Sequence, residues 1–400
     1  MANTLLTSTI ITREALKVLE NKLVLLRHTN RAYSKEFAVE GAKAGAVVNV
    51  RKPPRYIGRS GWGLSPEDAQ EELVSVAIDV PFGVDLVFSQ ADLVLSIDDF
   101  SKRFISPAVA AIANKIDSDI AAIYDQVYEH VGTPGTPITD LETYLMAGVA
   151  LDDNSAPDDD SRGMFISPYM GAKIVNGLRG LTEDAEQISK QYVKGRITRA
   201  AGFTWYTSQN LKTHTYGVYA GTPLVNGANQ IGNELITDGW SSGASTLNKG
   251  DVFTLAGVYK INMQSRENTE QLQRFVVREL ISDTAGAMTI KISPSIVIVP
   301  QQKTVSGSPA DNAPITVLGA TGAVSRQGLA LHPDAIAFAS VDLPLPGGVD
   351  MAGRASSKQS GLAIRMIRQY DINTNNMPCR LDVFYGIRLL RPELICRVAA

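Results

Sequence analysis

The chain has 400 residues and a mass of 43.0 kDa, more than one ordinary compact core holds, so roughly two to three domains are expected at about 150 residues each. Its 44% hydrophobic, 20% charged and 7% aromatic residues make a folding composition, which excludes a mainly disordered chain, a collagen and a coiled coil. A formal charge of −3, from 38 basic and 41 acidic residues, excludes a general nucleic-acid coater, which needs excess Lys and Arg to displace condensed counterions.

From Met1 to Ile11 no basic residue precedes the apolar run, so no secretory signal is expected. Residues 12–27 read as an amphipathic helix, with Thr12 as N-cap and Leu16, Leu19, Leu23 and Leu26 at spacings of three and four. Residues 45–57 and 71–80 read as two strands; Val76, Ile78 and Val80 share a face. Between them lie Pro53-Pro54, Arg59-Ser60-Gly61-Trp62-Gly63 and Pro66, a long hairpin with a glycine-rich tip. Loops of this length tend to be functional or mobile. Trp62 either folds back on its own hairpin or docks on another molecule.

A long helix is expected from Ser106-Pro107, an N-cap followed by a proline suited to the first helical position. Val109, Ile112, Ile116, Ile120, Ile123 and Val127 form one stripe, and Gly132, Pro134 and Pro137 end it. About 24 residues at about 1.5 Å each give a spine of roughly 36 Å. Residues 139–150 suggest another helix, and Phe165 to Pro168 a strand leading to a helix near 169–179. The stretch 203–219 is aromatic and β-prone. From about 222 to 330 short β-like runs alternate with turns: Val252 to Leu255, Gly257 to Ile261, Phe275 to Leu280, Ala287 to Ile292, Ile296 to Val299 and Ile315 to Leu318. Lys249-Gly250-Asp251 and Thr284-Ala285-Gly286 mark turns. This spacing indicates a small inserted β-barrel or sandwich. Strands Leu362 to Ile367 and Leu381 to Leu390 follow, either side of a polar turn at Asn373 to Pro378.

Charge is uneven. Residues 1–60 carry +7, residues 61–160 carry −17, and residues 161–400 carry +7. Beside the reading of solvated surface stands complementary contact between the basic and acidic parts, within one chain or between copies.

Signals for chemistry are weak. Cys379 and Cys396 make neither a disulfide framework nor a metal knuckle, and a reducing compartment is expected. No apolar run reaches the roughly 18 residues that span a bilayer. There is no Gly-Lys dipeptide, hence no phosphate loop of the Walker type, and no HExxH. His28, His130, His214 and His332 are far apart and read as structural. The acidic loop at 152–160 lacks the spaced ligands of an EF-hand and reads as solvated charge. Gly239-Trp240-Ser241-Ser242-Gly243 matches G-x-S-x-G, but no helix pattern follows, so turn chemistry is the better reading. Gly319-Ala320-Thr321-Gly322 is equally weak as a phosphate cradle.

The order of parts carries a resemblance. Ser60-Gly61-Trp62-Gly63-Leu64, the return Leu73-Val74-Ser75-Val76-Ala77-Ile78, the spine, Ala201-Gly202-Phe203, Lys249-Gly250-Asp251, Ala256-Gly257-Val258, Tyr385-Gly386 and Arg391-Pro392-Glu393 follow one another as in a known family. The chain resembles tailed-phage major capsid proteins of the Hong Kong 97-type fold. Within them it is similar to the coat-protein family of short-tailed phages typified by the Salmonella phage coat protein. That resemblance implies an α+β fold with an N-terminal arm at 1–40, an extended hairpin loop at 41–81 and a peripheral domain with the spine at 82–138. It further implies a first part of the axial domain at 139–221, an inserted β-barrel-like domain at 222–330, and a second axial part with returning peripheral strands at 331–400.

The implied function is an icosahedral shell of hexamers and pentamers enclosing double-stranded DNA, built with a scaffolding protein and a portal protein and expanding on packaging. The resemblance implies no catalysis, no cofactor, no metal and no membrane. It implies a place in the virion, and in the host cytoplasm before assembly. Arg51, Arg55, Arg59, Trp62, Leu16, Leu19 and Leu23 are the candidate assembly interface, since a terminal arm and a long hairpin are expected to find their partners in neighbouring copies. Some relatives join a hairpin Lys to a neighbour's Asn; Lys43 and Lys52 are the hairpin lysines here, and nothing in the sequence supports such a bond. Two other readings stand beside this one: an encapsulin-like nanocompartment with enzyme cargo, and a serine hydrolase using Ser241.

Overall fold

Two compact units emerge in the computed structural model, which describes residues 8–31, 47–58, 60–64, 66–67, 71–88, 105–177, 199–357, 361–373 and 376–400. The first unit draws on residues up to Arg51, Leu73–Ile120 and Ile336–Leu390; the second on Lys52–Glu72, Ala121–Ala335 and Arg391–Ala400.

The first unit is organised by one long strand, Met377–Leu389. It pairs antiparallel with Ile336–Ser340, with Ala363–Arg368 and with Val80–Phe88, and Ala363–Arg368 pairs in turn with Met351–Ser356. Helix α1, Ser8–Lys22, lies against Met351–Ser356 and Ala363–Arg368. It starts four residues before the expected N-cap, so Thr12 sits inside the helix and is buried. A 3-10 turn, Leu26–His28, takes over the last part of the expected 12–27 helix. Leu16, Leu19, Leu23 and Leu26 keep the expected stripe and are buried. Strands Val47–Arg51 and Leu73–Ala77 pair with Arg51 opposite Leu73. Val50, Val76 and Ile78 from this ribbon pack with Ala337, Ala339 and Phe384. Gly386 is required at that seam, because an added Cβ would lie 2.0 Å from the Ala77 carbonyl oxygen.

Helix α2, Ser106–Ala121, is shorter than the expected spine: sixteen residues, about 24 Å. The chain then tightens into a 3-10 turn, Ala122–Gln126. A step of three, as from Ile120 to Ile123, suits either helix, so the apolar stripe alone could not reveal the change. Side-chain partners hold the tighter turn: Tyr124 on His214, Asp125 on Lys249 and Gln126 on Arg278. The stripe itself is buried from Val109 to Val127.

The second unit contains two large sheets. One is six-stranded and antiparallel, in the order Ile315–Val317, Val252–Ile261, Asn268–Val277, Met288–Ile296, Gly232–Trp240, Gly221–Val225. Its outer strands approach each other through a Leu224–Pro314 bridge and a Val225 N–H to Ala313 carbonyl bond of 3.0 Å, so the sheet is nearly a closed barrel. Phe253 and Phe275 stack inside it with Leu235, Trp240, Leu255 and Ile290. The other sheet is mixed: His130–Val131, Ile395–Ala399, Val324–Leu331, Gly163–Ile166, Phe203–Thr207 and Arg199–Ala200, with Thr213–Thr215 also on Val324–Leu331. Strand Val324–Leu331 thus lies in the mixed sheet although it falls largely within the expected insertion 222–330. Helices α3, Glu142–Asp153, and α4, Pro168–Gly177, belong to this unit. Among the described residues no helix is long and apolar enough to cross a membrane.

Candidate assembly surface

Beyond the Val47–Arg51 and Leu73–Ala77 ribbon, one more backbone bond joins Lys52 N–H to the Glu72 carbonyl at 2.8 Å, and the Lys52 ammonium meets the Glu72 carboxylate at 3.1 Å. Pairing then stops, because Pro53 and Pro54 have no N–H to give a ladder. Glu67 accepts a bond from Ile57 N–H at 2.7 Å, which ties the two limbs below the tip. At the tip Gly61 adopts φ +96°, a left-handed conformation that a glycine takes without steric cost. The turn leaves Trp62 at 101% and Leu64 at 88% relative exposure, with Tyr56 and Ile57 also exposed. Trp62 does not fold back on its own hairpin. Burying an indole removes about 150–250 Å² from water, worth about 4–6 kcal/mol before association costs.

The other candidate interface residues are not equivalent. Arg51 is exposed, and Arg55 is half-buried with its guanidinium 3.6 Å from Glu393. Arg59 and Lys43 lie outside the described residues. Leu16, Leu19 and Leu23 face the chain's own core. The expectation that the arm buries little in its own subunit therefore fails for α1, whose stripe is spent on the first unit's sheet.

Buried polar groups form two clusters in the second unit. Glu129 accepts from Lys260 at 2.8 Å, Arg274 at 3.1 Å and Asn154 at 3.0 Å. Burial works to raise its carboxyl, but the Lys260 and Arg274 cations and these hydrogen bonds outweigh it and hold the carboxyl below its usual value. In the second cluster His214 bridges the Tyr124 hydroxyl at 3.2 Å and Asp251 at 2.8 Å, and Asp251 also accepts from the N–H groups of Gly217 and Asn248. His130 contacts the Tyr216 hydroxyl at 3.2 Å; burial first, then the cations of Arg397 and Arg274, push its imidazole well below the usual range. Glu129, Lys260, His130, His214 and Asp251 are all buried and bonded within the unit, an arrangement suited to fixing strands in place.

The remaining motifs sit in turns and ion pairs. Ser241 follows strand Gly232–Trp240 in a turn, with its N–H on the Ala220 carbonyl and no helix after it. His332, the later histidine, is engaged with Asp159 and Asp334. In the acidic loop Asp152 pairs with Arg162 at 2.7 Å and Asp160 with Arg199, while Asp159, held down at about 2 chiefly by the Ser161 hydroxyl, bonds that residue. Among the described residues no group of three or more His, Cys, Asp or Glu could hold a metal ion.

Residues 1–397 match the family model described as P22 coat protein, gene protein 5. The chain belongs to the P22 coat protein family. No curated protein sequence matches it at a significant level. Similar solved structures include a chain of Mycobacterium phage Che8, 13% identical, covering 94% of this chain and 90% of that one with a TM-score of 0.46. One from the capsid of Cyanophage P-SCSP1u is 13% identical, covering 93% and 86% with a TM-score of 0.44. The CUS-3 coat protein I-domain is 25% identical over 25% of this chain and 98% of that one, with a TM-score of 0.20.

Membership of the P22 coat protein family makes the chain a shell-forming structural protein of a phage virion, with the α+β fold of the Hong Kong 97 type. For such a protein the functional site is surface that meets other copies, and among the described residues the most exposed large apolar side chain is Trp62 at the tip. Sequence reasoning found that tip but missed the Glu129 cluster. Its one local signal was Lys260, a lysine inside the otherwise apolar run Val258 to Ile261; its partners Glu129 and the Ala150 carbonyl lie more than a hundred residues away in sequence.

Proposed function

We propose that this coat protein assembles, with a scaffolding protein and a portal protein, into hexamers and pentamers of an icosahedral shell that encloses double-stranded DNA and expands on packaging. The subunit has no catalytic part in this, and it passes through the host cytoplasm before assembly. In this reading residues 1–40, 41–81, 82–138, 139–221, 222–330 and 331–400 serve as arm, extended loop, peripheral domain, first axial part, insertion and second axial part. The observation that carries the shell reading is the tip of the hairpin, where Trp62 and Leu64 stand in solvent while the other two tryptophans, Trp205 and Trp240, are buried. A near-neutral net charge of −3 suits a wall that contains DNA without gripping it.

Negative-stain electron microscopy of the purified chain, with and without its scaffolding protein, tests this. Uniform closed shells with scaffold and aggregates without it are the expected result. Uniform shells that need no scaffold would replace DNA packaging with the nanocompartment reading. A small monodisperse oligomer under every condition would overturn both.

A further inference from the structure

Three buried side chains of the second unit bring together an amine, Lys260, a carboxamide, Asn154, and a carboxylate that bonds both, Glu129. We infer that Lys260 and Asn154 join in an isopeptide bond within the chain, formed by the chain itself with Glu129 as proton carrier. The bond uses no hairpin residue and no neighbouring copy, and the inference does not rest on the shell reading.

The placement of the groups carries it. Lys260 Nζ lies 2.8 Å from Glu129 Oε1, and Asn154 Nδ2 donates to that same oxygen at 3.0 Å. The two nitrogens are therefore within about 6 Å of each other. Lys260 Nζ also bonds the Ala150 carbonyl at 3.3 Å. Ala150 stands one turn before Asn154, which caps the C-terminal end of α3. The amine thus already rests on the turn that carries the carboxamide. Asn154 Nδ2 has a second acceptor in the Glu393 carbonyl at 3.1 Å, which holds the carboxamide in place. A buried ion pair needs only the lysine and the glutamate; the carboxamide on the shared oxygen completes a set of reactants. Burial keeps water from competing for the Asn154 carbonyl carbon, and reactants held together react far faster than free ones.

The step balances. Glu129 takes a proton from the Nζ ammonium, and the neutral amine attacks Asn154 Cγ. The Nζ–Cγ bond forms and the Cγ–Nδ2 bond breaks. Glu129 passes its proton to Nδ2, which departs as ammonia and carries the second proton lost by Nζ into water as ammonium. The carboxylate is restored, and nothing is oxidised or reduced. Against burial, the Lys260 and Arg274 cations keep the Glu129 carboxyl below its usual value, so the first transfer is uphill and the bond forms slowly. The ion pair is the state of the newly folded chain. Once formed, the bond ties strand Val252–Ile261 to the end of α3 and closes the chain between residues 154 and 260 into a loop.

Intact mass of the wild-type chain under denaturing conditions, on fresh and on aged protein, tests the inference. A loss of about 17 Da that grows with time is expected. Trypsin should then release peptide 116–162 joined to peptide 250–266, uncut after Lys260. The same loss confined to peptide 116–162, with the chain cut normally after Lys260, would mean a cyclised Asn154 and would overturn the inference. An unchanged mass after several weeks of folded storage would overturn it too. Neither readout needs a variant. Lys260→Arg keeps the positive charge without the amine nucleophile and should stay at full mass; the same loss in that variant would exclude Lys260 as the nucleophile.

Discussion

Replacing Glu129 by Ala should destabilise the second unit severely, and the structure says by how much. Glu129 is 1% exposed and Lys260 5%, and their 2.8 Å pair is the closest contact either makes with an opposite charge. Without Glu129 the Lys260 ammonium keeps the Ala150 carbonyl at 3.3 Å and Asp153 at 4.0 Å. Arg274, 25% exposed, can turn toward water. Stranding one buried charge costs about 3–5 kcal/mol. At about 2–4 °C per kcal/mol for a unit of this size, the loss is roughly 6–20 °C in Tm. Thermal unfolding of the unassembled chain by circular dichroism measures it. The double variant Glu129→Met, Lys260→Met removes both charges and should recover most of the loss, since an apolar pair of similar volume avoids desolvation. Acid offers a further check. A carboxyl held below its usual value adds stability above that value and loses it as pH falls through its folded one, so the gap between wild type and Glu129→Gln should close in acid. A single variant within about 1 kcal/mol of wild type, or a double variant as unstable as the two singles combined, would refute the reasoning.

Asp117 should act with the opposite sign. Its carboxyl, raised by burial to about 6 against the bonds it accepts from Val24 and Leu26 N–H, stabilises the first unit in full below about 4 and loses that contribution as pH rises through 6. The span from 3.8 is worth about 3 kcal/mol, and Asp117→Asn should flatten the stability profile in that window; an unchanged slope in pH-dependent unfolding would contradict it. Trp62→Ala should shift subunit Tm by less than the equivalent of about 0.5 kcal/mol while impairing shell formation by light scattering; equal losses in both would return Trp62 to a self-packing role. Gly386→Ala should cost about 1–3 kcal/mol or more, because its Cβ would collide with the Ala77 backbone, and exchange at residues 73–78 should rise with it; a neutral substitution would show that the ribbon does not depend on that close approach.

What the sequence made legible follows physical range. The α2 stripe and the runs inside the barrel-like sheet are local periodicities, and they could be read. The Lys249-Gly250-Asp251 turn is local too, and Gly250 there has φ +96°. Gly257 misled: it split Val252 to Leu255 from Gly257 to Ile261, yet one strand, Val252–Ile261, runs through it. Gly257 has φ +78°, and pairing with Asn268–Val277 shifts register between Thr254 and Tyr259, so the glycine marks an irregularity within a strand rather than its end. The α1 boundary moved because an N-cap residue inside a helix is tolerated when its side chain is buried by tertiary packing, as Thr12 is. In the mixed sheet Gly163–Ile166 and Phe203–Thr207 fall where the sequence reads as β-prone, but their pairing had no local signal. His130–Val131 is two residues long, and its parallel partner comes some 265 residues later. The tip was found because a tryptophan between two glycines is unusual in itself.

The placement of Ile395–Ala399 bears on how a subunit is made. This strand sits between His130–Val131 and Val324–Leu331, so the sheet's interior is synthesised after both its flanks. While a ribosome is still short of residue 395, those flanks present unpaired backbone edges, the features that invite pairing with other chains. Contacts of such sequence separation also slow folding, because a long loop must close before they form. A coat gene is translated into many copies at once. The sheet therefore makes synthesis through residue 399 a checkpoint: a copy that stops short of it lacks the strand that seals those edges.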